Sequence, residues 1–152
     1  MFRLAQILNP ELTFCAESGT SKKKVFETVS SLIGSQRTEM DASEVYNNLL
    51  AREKLGSTAF GNGIAIPHCR LSTCESAVVA LMTLESPVDF DAADGHPVDI
   101  LFVLLVPEEA TQEHLDVLAG LAGLLGNAEF RDSLRAADNS EALYRAAVDF
   151  GH

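Results

Sequence analysis

VDILFVLLV, residues 98–106, is nearly all apolar, of strand length, and followed at once by Pro107. A second run, AVVALMTL at residues 77–84, has the same character and is also bounded by turn residues. Near-continuous apolar segments this short predict strands covered on both faces, because a half-solvated strand would alternate polar and apolar positions. Between the two runs, Pro87 and the segment Asp89 to Pro97 supply turns around a short Val88–Phe90 strand candidate. Gly63 to Ile66 reads as one more short extended piece.

Outward from these strands the period changes to that of helices. Residues 22–34 place Val25, Phe26, Val29, Leu32 and Ile33 on one face, with Ser21 as N-cap and Gly34 near the end. Asp41 followed by Glu44 reads as a capping box. It opens a helix with Val45, Leu49 and Leu50 inward and Gly56 as its stop after Leu55. Thr111 is a suitable N-cap for a helix repeating Leu115, Leu118, Ala122 and Leu125. Asn127 opens a short helix carrying Phe130 and Leu134, and Ser140 the last, with Leu143, Ala147 and Val148 inward. Helices before and after buried strands predict a layered α/β domain, and no repeat or linker divides residues 1–152. The order of strands in the sheet is not readable.

The bulk numbers narrow the function classes. With 152 residues, 47% apolar and 22% charged, the chain has material for a sizeable core without metals or disulfides. Eleven basic against 22 acidic residues give a formal charge of −11, which repels phosphate backbones and anionic lipid. Nucleic-acid partners and membrane insertion are therefore not expected, and no apolar run approaches the roughly 20 residues of a spanning helix. The N-terminal MFRLAQILNPEL lacks the features of a signal peptide, so a cytoplasmic location is expected. Lys22, Lys23 and Lys24 read as a solvated cluster. The three cysteines, Cys15, Cys69 and Cys74, read as free or structural thiols, and neither a metal nor a cofactor is expected.

Chemistry concentrates in GSTAFGNGIAIPHCR, residues 56–70. Gly56, Gly61 and Gly63, with Ser57, Thr58 and Asn62, make a loop able to bring backbone N–H groups close to an anion. Gly56 and Gly61 match the frame of a nucleotide P-loop, but Asn62 and Gly63 stand where its Lys and Ser/Thr are needed, so that reading is rejected. Pro67 stiffens the backbone just before His68, which presents an imidazole beside the loop. Neutral imidazole is a competent nucleophile near pH 7, although a structural histidine fits the residue type equally well. Arg52, just before the loop, can fork onto phosphoryl oxygens, and His114 falls in the first turn of a helix, where anions are favoured. Both also have bland readings as exposed helix residues. His96 lies in a turn and His152 is terminal, and neither is given a role.

These residues carry a resemblance. Arg52-Glu53-Lys54-Leu55 followed by GSTAFGNGIAIPHCR resembles the active-site segment of phosphotransferase-system IIA domains of the fructose/mannitol type, the nitrogen-regulatory IIA kind above all. Pro97-Val98-Asp99 leading into LFVLLVP, then Glu113-His114-Leu115, extend it in order over nearly the whole chain. The resemblance implies a three-layer α/β sandwich, a central mixed sheet with helices on both faces. It implies that His68 accepts a phosphoryl group, at Nε2, from the phosphohistidine of a small carrier of the HPr or NPr kind. Arg52 and His114 would contact that group, and Ser57, Thr58, Gly61, Asn62 and Gly63 would form the phosphoryl-binding loop. Ala59-Phe60 and Cys69 depart from the family wording: Phe60 adds an apolar contact for the carrier, and Cys69 sets a thiol beside the nucleophile.

Within the family two roles compete. A regulator would end the relay and bind target proteins, of kinase or transporter type, according to its phosphorylation state. A sugar-specific IIA component would pass the group to a IIB domain. The regulator is favoured, because no IIB or membrane IIC segment is fused to the chain. A binding module that has lost phosphorylation is the third reading. A cysteine hydrolase built on Cys69 and His68 is disfavoured, since neighbours on a strand point to opposite faces.

Overall fold

The computed structural model describes residues 3–109 and 112–150, without the side chains of residues 112–114. After a single 3-10 turn at Leu4–Gln6, the chain forms β1 (Leu8–Glu17), α1 (Lys22–Gln36) and α2 (Ala42–Leu55). Three short strands follow, β2 (Ala59–Gly61), β3 (Ile64–Ala65) and β4 (His68–Leu71), then the long β5 (Val78–Val88) and β6 (Val98–Pro107). The chain ends with α3 (Gln112–Leu125), α4 (Ala128–Ala136) and α5 (Ser140–Asp149).

One mixed sheet runs β1-β5-β6-β3-β2, with β4 also paired to β6. The pairs β1/β5, β3/β6 and β4/β6 are parallel, whereas β5/β6 and β2/β3 are antiparallel. Successive residues of β6 enter opposite cores, which explains the unbroken apolar run. Leu101, Val103 and Leu105 pack under α1 and α2. Ile100, Phe102, Leu104 and Val106 pack under α3, α4 and α5. The architecture is thus the three-layer sandwich. Among the described residues no helix is long and apolar enough to cross a membrane.

The helix caps act largely as their residue types dictate. Ser21 accepts from Lys24 N, Asp41 from Ser43 N and Asn127 from Glu129 N and Phe130 N. Helix α5 starts at Ser140, and Asn139 before it is the cap, accepting from Ala142 N. Gly34 lies near the end of α1, which continues to Gln36. The Asp41–Glu44 box does not close, because Glu44 Oε2 turns away to accept from Ser72 Oγ at 2.6 Å. No separate strand forms at residues 88–90; Val88 is the last residue of β5 and pairs with Val98. In α3 the buried stripe is Val117, Leu121 and Leu125, and Leu115 is 59% exposed. The Thr111 cap lies outside the described residues.

The strand β1 was not anticipated from sequence. It contains Pro10, which an edge strand tolerates because its outer N–H groups need no ladder partner.

Candidate functional site

The site is built where β4 begins. Pro67 O accepts from Leu104 N at 2.9 Å, which seats the backbone before His68 on the central strand β6. The half-buried His68 ring folds back so that Nδ1 lies 2.8 Å from Ile66 O. A carbonyl oxygen only accepts, so Nδ1 carries the proton, and the lone pair of the neutral ring belongs to Nε2. Burial pushes the His68 pKa below its ordinary value. The Ile66 hydrogen bond opposes that shift, the positive charge of Arg52 adds to it and the negative charge of Glu53 offsets it. The balance of these effects favours the neutral ring.

The last turn of α2 and the loop after it supply the surroundings. Half-buried Arg52 donates from Nη1 to Gly56 O at 2.9 Å, one grip on the loop. Glu53 is a second grip, a residue to which the sequence alone assigned no role. It is 7% exposed, and its carboxylate accepts from Thr58 Oγ1 at 2.5 Å, Thr58 N at 3.1 Å and Lys22 Nζ at 3.0 Å. Lys22 is consequently not a member of a solvated cluster. It also donates to Asp91 Oδ2 at 3.1 Å and lies 5.3 Å from the centre of the Phe90 ring. Burial lowers the Lys22 pKa, but its bonds to Glu53 and Asp91 outweigh this and hold it above the ordinary value. A signal for Glu53 was present: Val45, Leu49 and Glu53 recur every four residues, and all three are buried.

The loop residues divide between two places. Thr58 stands near His68 in the bonding sequence, since Thr58 O accepts from Ile66 N at 2.9 Å, but its hydroxyl is committed to Glu53. Ser57 Oγ donates to Phe90 O at 2.5 Å and accepts from Ala59 N at 3.1 Å. Gly61, Asn62 and Gly63 instead make the tight turn between β2 and β3, all three at positive φ. Gly63 lies beside Asp99 and His68 beside Leu104 along β6. Five residues of strand put that turn about 16 Å from the histidine. Asn62 N donates there to Asp94 Oδ2 at 2.9 Å, and Asn62 O accepts from Arg135 Nη2 at 2.6 Å. The structure thus brings Arg52, Glu53 and Thr58 toward His68 but leaves Asn62 and Gly63 at the far end of the hairpin. His114 falls at the start of α3, but its side chain lies outside the described residues.

The cysteines take no part. Cys69 is buried beneath α1 and α2, and burial, with the nearby Cys74 and Glu44, pushes its thiol up to about 12. Its side chain enters that core while His68, one residue earlier, stays half-exposed, so the two cannot act as a nucleophile–base pair. Among the described residues no group of three His, Cys, Asp or Glu side chains stands close enough to hold a metal ion.

The mixed sheet between two helical layers defines an α/β sandwich of the phosphotransferase IIA type. A solved nitrogen regulatory protein, IIA-Ntr from Neisseria meningitidis, superposes with a TM-score of 0.86 at 39% identity, covering 95% of this chain and 98% of that one. The mannitol IIA protein of Escherichia coli shares the fold at a TM-score of 0.75 and 17% identity, over 96% of this chain and 99% of the other. The nitrogen regulatory protein of Pseudomonas aeruginosa is 56% identical over 149 residues, 98% of this chain and 97% of the relative. Residues 6–147 match the family model described as phosphoenolpyruvate-dependent sugar phosphotransferase system, EIIA 2. The chain belongs to that family, and within it stands with the nitrogen-regulatory IIA proteins. The family makes it a phosphoryl-transfer component of such a system.

Proposed function

We propose that the chain is the IIA phosphoryl carrier of a nitrogen-related phosphotransferase system. It takes a phosphoryl group on His68 Nε2 and regulates target proteins according to whether that group is present. The observation that carries the reading is the Nδ1 contact with Ile66 O at 2.8 Å on a ring that burial keeps neutral. The Nε2 lone pair attacks the phosphorus of the donor phosphohistidine as the donor N–P bond breaks. The donor ring leaves with the electron pair of that bond. His68 retains its Nδ1 proton, so its ring gains positive charge, and the bond to Ile66 O becomes charge-assisted. In-line positioning and stabilisation of the equatorial oxygens are the main demands of the step. Arg52 and His114 are proposed for the second. An HPr- or NPr-like carrier is the proposed donor, with exposed Phe60 and Leu55 as its apolar footing. Arrival of a phosphoryl dianion changes the local charge, which is the basis proposed for phosphorylation-dependent binding of kinase- or transporter-type targets.

The test is intact-mass analysis of wild type, His68→Ala and His114→Ala after incubation with phosphoenolpyruvate, the general phosphotransferase enzyme and its carrier. One acid-labile phosphoryl group should appear on wild type and be absent only from His68→Ala. Unmodified wild type with both HPr-like and NPr-like donors would sink the proposal.

A further inference from the structure

A buried carboxylate beside a reaction centre calls for an explanation, because removing its charge from water carries a penalty that ion pairing often fails to recover. Glu53 has that position. Its partners are Lys22 from α1, 31 residues earlier, and both the N–H and the hydroxyl of Thr58. From Thr58 the bonds continue without interruption to the reacting ring. Thr58 O accepts from Ile66 N at 2.9 Å, and Ile66 O lies 2.8 Å from His68 Nδ1. The N–H and C=O of each linking residue belong to different peptide groups, so the linkage transmits position rather than electronic polarisation. Adjacent residues of one helical turn hold the same loop from both ends: Arg52 grips Gly56 O and Glu53 grips Thr58. Ser57 between them is fixed to Phe90 O.

We propose that Glu53 is a positioning residue for phosphoryl transfer at His68. Clamped to Thr58 and paired with Lys22, it fixes the loop that Arg52 grips and, through Ile66, the carbonyl that orients the histidine. The inference rests on the carrier reading of His68. It makes Lys22 the support of Glu53 and gives Thr58 a bracing role in place of a phosphoryl-binding one.

Four full-length variants test it: Glu53→Gln, Lys22→Gln, Thr58→Val and Thr58→Ser. Each is checked for folding by thermal melt. Two quantities are read, the rate of His68 phosphorylation at saturating phosphorylated carrier, and the titration of the His68 ring followed by NMR. A misplaced ring lowers the saturated rate by about 10- to 100-fold while half-saturation by the carrier changes little. That loss is expected in Glu53→Gln and Thr58→Val, with near-wild-type rate in Thr58→Ser, which keeps the hydroxyl. Lys22→Gln leaves the Glu53–Thr58 bonds in place and should fall between. Glu53→Gln should also titrate at a lower pH than wild type, since a charge that favours the imidazolium has gone. Should Glu53→Gln not fold, the Thr58 pair carries the test. Folded Thr58→Val or Glu53→Gln with an unchanged saturated rate would overturn the clamp. If wild type takes no phosphoryl group, the carrier reading fails separately. The titration of Thr58→Val, which changes no charge, then decides the clamp alone, a shift supporting it and no shift overturning it.

Discussion

Gly63→Ala separates the hairpin turn from the histidine site. Gly63 has φ +82°, and a Cβ there would stand 2.5 Å from Arg135 Nη2 and 3.0 Å from Asp99 Oδ1. The guanidinium is not free to step aside without loss. Its Nη2 donates to Asn62 O at 2.6 Å and Asp99 Oδ1 at 2.9 Å, and its Nε to Asp99 Oδ2 at 3.0 Å. A left-handed alanine costs about 1–2 kcal/mol. Disrupting a partly exposed ion pair adds about 0.5–1 kcal/mol. The sum, about 1.5–3 kcal/mol, corresponds to a fall in Tm of roughly 3–12 °C for a domain of this size. Calorimetry measures that fall, and intact-mass phosphorylation well below Tm measures the site. Because the turn is about 16 Å from His68, the folded variant should take the phosphoryl group at the wild-type rate. An unchanged Tm would refute the steric reasoning. A folded but unphosphorylated variant would return Gly63 to the phosphoryl cradle.

Two further outcomes follow from the titrating groups. His68 has a lowered folded-state pKa, so the unfolded chain takes up its proton near the ordinary value of 6.5 while the folded chain still resists it. The His68 contribution to stability is thus intact above pH 6.5 and is lost as pH falls from there toward the lower folded value. Urea denaturation from pH 7.5 to 5.5 should show a shallower loss in His68→Gln than in wild type, and equal slopes would contradict it. Cys69, pushed up to about 12 by burial, should alkylate at pH 8 far more slowly than a free cysteine peptide. The ratio is on the order of a thousandfold, which peptide mass spectrometry of iodoacetamide-treated native protein can follow. Labelling as fast as the peptide would contradict the burial of that side chain.

The two long strands were legible because double-sided burial removes polar positions from β5 and β6, and helix ends were legible wherever a short polar side chain caps a backbone N–H. Strand β1 was not, since Pro10 and the polar Asn9 and Glu11 interrupt its pattern and its pairing with β5 is irregular. The inward face of α3 was only partly legible: Leu118 and Leu125 pack toward the core, but Leu115 is exposed, and only packing beneath the helix selects Val117 and Leu121. At the site, the strand-end histidine and the neighbouring arginine were readable as residue types in a glycine-bounded loop. The division of that loop into a brace at Thr58 and a remote turn at Asn62–Gly63 was not. It depends on register along β6 and on Asp94, Asp99 and Arg135, which lie far away in sequence. The burial of Glu53 was signalled by its spacing from Val45 and Leu49, but its cation, contributed by another helix, was not.

The central claim is that His68 accepts the phosphoryl group at Nε2 while Nδ1–H stays on Ile66 O. Proton–nitrogen correlation spectra of the imidazole rings, recorded on phosphorylated protein, test this most directly. The account predicts phosphorus coupling at Nε2 of His68 and a slowly exchanging proton on Nδ1. Phosphorus coupling at Nδ1, or on any ring other than His68, would contradict it.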